Sequence, residues 1–206
     1  MFAICGFCIN RPISEAVQVN IISAETSSVP IEMRSKRIEG KIIYNGAQTR
    51  KNYTPPQGVS YDNNPSVFGR ILDGSIPCCP IMETEDLLVF FDKYPKAKFH
   101  ALVIPKTFIK TVKHLRPDRD LSIVEGMTQL ALEVIHLKLP EVAITKDYML
   151  VYHVPPFNSV DHLHLHILAP SSEMSPFFRN IKYQPGTFWC IDADTVLDSL
   201  RNGITL

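Results

Sequence analysis

The stretch His162-Leu163-His164-Leu165-His166-Ile167-Leu168 decides how this chain reads. Side chains of a strand alternate between its two faces, so a strand here puts three imidazoles on one side and Leu163, Leu165 and Ile167 on the other. The aliphatic side belongs to a core. Three imidazoles, each with an ordinary pKa near ~6.5, repel one another when protonated, so most of them are expected to be neutral at neutral pH. A neutral imidazole offers one lone pair and one N–H, and a neighbour that takes the N–H aims the lone pair outward. That is how a histidine becomes a nucleophile. Spacing alone leaves three readings open. One is a half-buried strand whose polar face is histidine, and another is a zinc site built from alternate histidines. The third is phosphate chemistry, for which Asn158 and Ser159, just upstream, can supply an amide and a hydroxyl to the oxyanion and the leaving group.

On either side of the histidine run the pattern is of short strands and a few helices. Residues 148–153 read as a second strand, joined to the histidines by a loop that Pro155-Pro156 shapes. Residues 87–91 and 99–104 are apolar runs separated by Asp92-Lys93-Tyr94-Pro95-Lys96, and they read as an antiparallel pair. A long helix is opened by Pro117-Asp118-Arg119-Asp120, carries Ile123, Val124, Met127, Leu130, Ala131, Val134 and Ile135 at helical spacing, and has Pro140 beyond its end. A short helix places Val67, Phe68, Ile71 and Leu72 on one face and stops at Gly74. The apolar run Thr187-Phe188-Trp189-Cys190-Ile191 precedes a helix capped by Asp192, with Val196, Leu197 and Leu200 inward and Gly203 after it. Strands flanking one long helix, without a repeating strand–helix rhythm, give the class α+β.

A chain of 206 residues with 45% hydrophobic composition buries one core. Residues 61–206 carry the patterned domain. Residues 1–60 read as an irregular extension, punctuated most densely at Asn52-Tyr53-Thr54-Pro55-Pro56-Gln57-Gly58. Within it, Lys41-Ile42-Ile43-Tyr44 has the composition of a strand but no legible partner. Lys plus Arg (21) equal Asp plus Glu (21), so there is no basic excess to neutralise a nucleic acid, and none is expected as a partner. No apolar run approaches the ~18 residues of a membrane span, and the first residues lack the features of a secretory signal. The expectation is a soluble protein of the cytoplasm, and also of the nucleus. Five cysteines, an odd number, suit free thiols better than a disulfide framework. Cys5-Gly6-Phe7-Cys8 has metal-like spacing without a second pair, Cys78-Cys79 read as free thiols, and His114 and His136 as surface or helix residues.

The histidine run fills the pattern His-φ-His-φ-His-φ-φ without a mismatch, and the chain resembles the histidine-triad superfamily. The resemblance is to its Hint group, and within that to the third branch, the adenosine 5′-monophosphoramidases. Residues 153–170, the 189–200 segment, Phe90-Phe91-Asp92 and His100-Ala101-Leu102-Val103-Ile104-Pro105-Lys106 carry the likeness in order, from about Ser66 to Arg201. It implies a five-stranded antiparallel sheet with two main helices, a homodimer, and an adenosine nucleotide as substrate. It also implies roles. His164 matches the nucleophile that takes the nucleotidyl group, His162 and His166 its flanking partners, His100 a fourth histidine of the network, and Ser159 the hydroxyl by the leaving group. Asp92 matches the carboxylate that holds the ribose, Asn158 a nearby amide, and His153 a phosphate-side group. Val67, Phe68, Ile71 and Phe90 match apolar walls around the base, although pattern alone reads most of these as core. Many members hold structural zinc through a Cys-x-x-Cys pair, a later histidine and a triad histidine. Here the matching positions are Ser66, Gly69 and Phe108, so neither a metal nor any other cofactor is expected.

The activity implied is hydrolysis of the P–N bond of adenosine 5′-monophosphoramidates, AMP-lysine among them. An aprataxin-like deadenylase of 5′-adenylated nucleic acid is disfavoured by the balanced charge and the lack of a zinc-finger tail. A non-catalytic nucleotide-binding scaffold or sensor is a third reading, and it would leave no covalent adduct on His164.

Overall fold

The computed structural model describes residues 60–206 and the backbone of Ile42–Ile43. Strands β1 (Ile42–Ile43), β2 (Pro80–Glu83), β3 (Leu87–Phe91), β4 (Phe99–Pro105), β5 (Met149–His153), β6 (Leu165–Ala169) and β7 (Cys190–Asp192) form one sheet in the order β1-β2-β3-β4-β6-β5-β7. Every neighbouring pair is antiparallel. Among the described residues the sheet thus has seven strands where the resemblance implies five, with the two shortest at its edges. Beyond the described residues lie the rest of the 1–60 extension, Cys5 and Cys8.

Period-two alternation sorts the sheet into two faces. Val89 of β3, Ala101 and Val103 of β4, Leu165 and Ile167 of β6 and Tyr152 of β5 all enter one core. Helix α2 (Pro117–Lys138) covers that face, supplying Val124, Met127, Leu130, Ala131, Val134 and Ile135 as its spacing predicts. Helix α4 (Ala193–Arg201) adds Val196, Leu197 and Leu200 beside it. Asp192 caps α4 by accepting from the Thr195 amide at 2.8 Å, which satisfies one of the donors left over at a helix start. Pro140, expected only to lie past α2, opens a further short helix, α3 (Pro140–Thr145).

The opposite face carries Leu88 and Phe90, Leu102 and Ile104, which pack with Phe68, Ile71 and Leu72 of helix α1 (Val67–Leu72). Further along this face lie His100, His166 and Val151, by the same alternation. Among the described residues, one layer of helices thus buries the aliphatic side of the sheet, and the other side carries α1, the histidines and a π-helical turn, Phe178–Lys182. Cys78 is a free thiol whose burial pushes its pKa up to about 12. Cys79, by contrast, is disulfide-bonded, which corrects the reading of both as free.

Candidate active site

All three histidines of the run are buried, with Leu163, Leu165 and Ile167 in the core behind them. Only His166 lies within a strand, since β6 begins at Leu165. His162 and His164 precede it, outside the strand, in chain that still turns Leu163 to the core and is tied back by the Leu163 amide to Ile109 O at 2.7 Å. Their rings, with those of His100 and His153, make one basin: His164 and His166 are 4.9 Å apart between centroids, His153 and His166 4.9 Å, His100 and His166 5.2 Å.

Each ring is held in one tautomer by a partner that can act in only one sense. His162 donates its Nε2–H to Pro105 O at 2.9 Å, so its Nδ1 accepts, at 2.7 Å, from the Asn64 side-chain amide. His164 donates Nδ1–H to His162 O at 2.7 Å, which leaves the lone pair of Nε2 for chemistry. His153 donates Nε2–H to Lys182 O at 3.2 Å. The backbone N–H of Lys96 donates to His100 Nδ1 at 3.1 Å, so His100 carries its proton on Nε2 and donates it to His166 Nδ1 at 2.9 Å. By that relay His166 bears its own proton on Nε2, a fully buried N–H with no hydrogen-bond partner among the described residues. A lone pair on His164 therefore sits beside an unspent donor on His166, the pair that an attacked phosphoryl group requires.

Burial keeps these groups neutral. It lowers His100, His153 and His162 to about 4, against smaller opposing effects: Asp92 beside His100, and the carbonyl bonds of His153 and His162. His164 is lowered by burial, and His166 well below the ordinary histidine value by burial and its neighbouring imidazoles. Ring nitrogens of His153, His164 and His166 come within 4.8 Å of one another, as do donor atoms of Asp92, His100 and His166. A metal ligated through His166 Nε2 needs a lone pair there, and the Lys96–His100 relay puts a proton in its place.

The structural zinc positions also hold none of the usual ligands. Ser66 instead caps α1, its hydroxyl accepting from the Phe68 and Gly69 amides at 3.2 Å each. Gly69 passes so close to Asn64 that a Cβ there would lie 2.2 Å from Asn64 O. Asn64 Oδ1 in turn accepts from the Ser66 amide and hydroxyl at 3.2 and 2.7 Å. Phe108 stacks edge-on to His162 at 5.7 Å. A hydrogen-bonded plug and an aromatic ring thus hold His162 in place.

Asp92 lies at the end of β3 with both a turn role and a site role. One carboxylate oxygen accepts from the Tyr94 amide at 2.7 Å, and the other lies 3.6 Å from His100 Nε2. Phe68 joins the two regions, its ring 5.6 Å from Phe90 and 5.4 Å from His164. Ile71 is buried in the same cluster, while Val67 is exposed at its rim. Asn158 turns its amide into its own loop, to Val160 O and Asp161 Oδ1 at 3.1 and 2.9 Å, which is the capping role. With Thr111, His153, His162 and His164 it lines a cavity of about 10 Å³, room for one water. Ser159 is exposed on that loop, and His114 and His136 are exposed as expected. Asn64, Thr111 and Tyr183 belong to the site without having been singled out in the sequence. Asn64, two residues before a helix-capping Ser, could have been found as a candidate cap; Tyr183 carries no such signal.

A family model described as scavenger mRNA decapping enzyme C-term binding matches residues 65–182. The adenosine 5′-monophosphoramidase HINT3 of Mus musculus is 36% identical over 144 residues, 69% of this chain and 84% of that protein. The one of Danio rerio is 40% identical over 125 residues, 61% of this chain and 74% of that protein. A solved HIT family hydrolase from Legionella pneumophila Philadelphia 1 superposes with a TM-score of 0.46 at 30% identity, covering 50% of this chain and 90% of that one. The chain belongs to the histidine-triad family. Within it, three named relatives at 34–40% identity are adenosine 5′-monophosphoramidases, which are hydrolases, and one of Arabidopsis thaliana at 35% is named a bifunctional adenosine 5′-phosphosulfate phosphorylase/adenylylsulfatase.

Proposed function

We propose that this protein hydrolyses adenosine 5′-monophosphoramidates of the AMP-lysine type, releasing AMP through a nucleotide held covalently on His164. The observation that carries the reading is the hydrogen bond from His164 Nδ1 to His162 O, which leaves Nε2 as the nucleophile. Nε2 attacks the α-phosphorus, an Nε2–P bond forms, and the P–N bond to the amine breaks. The departing nitrogen takes a proton by way of the Ser159 hydroxyl, which recovers one from water. Water then attacks the same phosphorus, the Nε2–P bond breaks, AMP leaves and His164 returns neutral. His166 Nε2–H stabilises the charge on a phosphoryl oxygen, and His100 keeps that proton in place. His162 orients His164 through its carbonyl, and His153 stands on the phosphate side.

Asp92 takes the ribose hydroxyls, and the base lies at exposed Val67, over the buried Phe68, Ile71 and Phe90. Asn158 shapes the loop that presents Ser159. The working unit is a homodimer, which sedimentation velocity tests. The chemistry is tested by supplying AMP-lysine, 5′-adenylated DNA and a dinucleoside polyphosphate in parallel and measuring AMP. Release is expected to be fastest from AMP-lysine, with an adenylylated peptide bearing His164 trapped by acid quench and mass spectrometry. His164→Ala is expected to stay folded and lose both. An active His164→Ala protein would falsify the mechanism, and nucleotide binding without turnover would leave a scaffold in its place.

A further inference from the structure

We infer that Tyr183 is a positioning residue of this site: its ring walls off one side of the basin, keeping His100, His153 and His166 away from water and in register with one another. Its ring centroid stands 5.8 Å from that of His100, 4.9 Å from His153 and 5.2 Å from His166, a contact with three of the basin imidazoles at once. The residue is 3% exposed and packs behind on Val151, Leu168, Met174 and Cys190. It is placed there by the π-helical turn Phe178–Lys182, closed by the Tyr183 amide on Phe178 O at 2.9 Å.

That turn is pinned twice, to strand β5 and to the residue before β7. Lys182 O takes the His153 proton, and Ile181 O takes the Trp189 indole N–H at 2.8 Å. An extra residue wound into one turn often marks a working part of a protein, and here it swings an aromatic ring onto the histidines. Charged and titratable groups around this ring and the histidines it covers come from every side: Asp92 after β3, Lys96 and His100 before and on β4, His153 on β5, His164 and His166 at β6, Lys182 on the turn and Cys190 on β7. Burial is the first cause of the lowered imidazoles, and burial together with Asp92 raises the Tyr183 phenol, which therefore stays protonated. A neutral ring that excludes water, rather than a hydroxyl that transfers a proton, is what these contacts provide.

Two readouts test this, and only the second rests on the phosphoramidase reading. NMR titration of the imidazole carbon-bound protons in the full chain is expected to show the low-titrating histidines unmoved in Tyr183→Phe. In Tyr183→Leu, which admits water, they should rise by about one pH unit or more toward 6.5. Where Tyr183→Leu does not fold, Tyr183→Met, of similar bulk without a flat ring, takes its place. The acid limb of kcat/KM for AMP-lysine should follow the same order, moving up in the Leu or Met variant and staying in Tyr183→Phe, a loss of about twofold at pH 5 for a one-unit rise. Unshifted imidazoles in a folded Leu or Met variant overturn the proposal, as does a Phe variant that shifts as far as Leu. A wild-type protein without phosphoramidase activity removes the second readout and the function above, while the NMR titration still decides Tyr183.

Discussion

Asn64 shows how much one side chain can settle. Its amide gives His162 a donor, its oxygen takes two hydrogens from Ser66, and its amide orientation is fixed by that pair. Asn64→Ala leaves His162 Nδ1 buried without a partner, and urea unfolding is expected to show a loss of about 1–3 kcal/mol. Asn64→Asp sets a carboxylate against the same nitrogen. A neighbouring negative charge favours the imidazolium, so His162, held at about 4 by burial, should titrate higher in this variant; an unchanged His162 titration counts against the assigned hydrogen bond. His164 was legible as the candidate nucleophile from the family resemblance. That its lone pair lies on Nε2 was not, because the carbonyl that takes the other proton is set by the backbone path from His162.

Among the elements, α1 depends most on a close approach. Gly69 sits in its first turn with Asn64 O where a Cβ would go, so Gly69→Ala must push the helix away from the plug on His162. A cost of about 2 kcal/mol or more is expected, together with a drop in AMP release larger than the stability loss alone explains. A Gly69→Ala protein as stable and as active as wild type refutes that coupling. Asp192→Ala, which removes the cap of α4 on the far side of the sheet, should cost about 1 kcal/mol in denaturant unfolding and leave the site's chemistry untouched. Long amphipathic helices and strands with strict alternation could be read directly: α2, β3 and β4 fall where their patterns predict. Strand β2 could not. It is four residues long, begins with Pro80, and has a register shift between Pro80 and Met82 that spoils the alternation. Missing it left Ile42–Ile43 without the neighbour it pairs with. The π-helical turn was equally hidden, since its defining hydrogen bond depends on what Phe178 and Tyr183 pack against.

Across the whole molecule, five neutral histidines gathered from three strands and the chain before one of them have a thermodynamic consequence. In the unfolded chain they titrate near 6.5, whereas folding lowers His100, His153 and His162 to about 4 and moves His164 and His166 downward too. Between those values the unfolded state binds more protons than the folded one, so stability rises with pH across the interval. It is therefore present in full above about 6.5 and is lost as pH falls toward 4. A melting temperature lower by about 5 °C or more at pH 4.5 than at pH 7 is expected by calorimetry. His166→Gln should flatten that dependence. A melting temperature that does not fall over this range means that the imidazoles are already charged or already wet.

Alternation along residues 162–168 was enough to place three histidines opposite a core, and helical spacing was enough to supply the layer that buries that core. Periodicity is local, so both could be read from the chain alone. The state of each imidazole could not, because it depends on groups distant in the sequence: Asn64 for His162, the Lys96 amide for His166 through His100, the π-helical turn for His153. Hydrogen bonds between such groups exist only once the sheet has brought them within 3 Å or so, and burial, which sets their charge, is a property of the packed molecule.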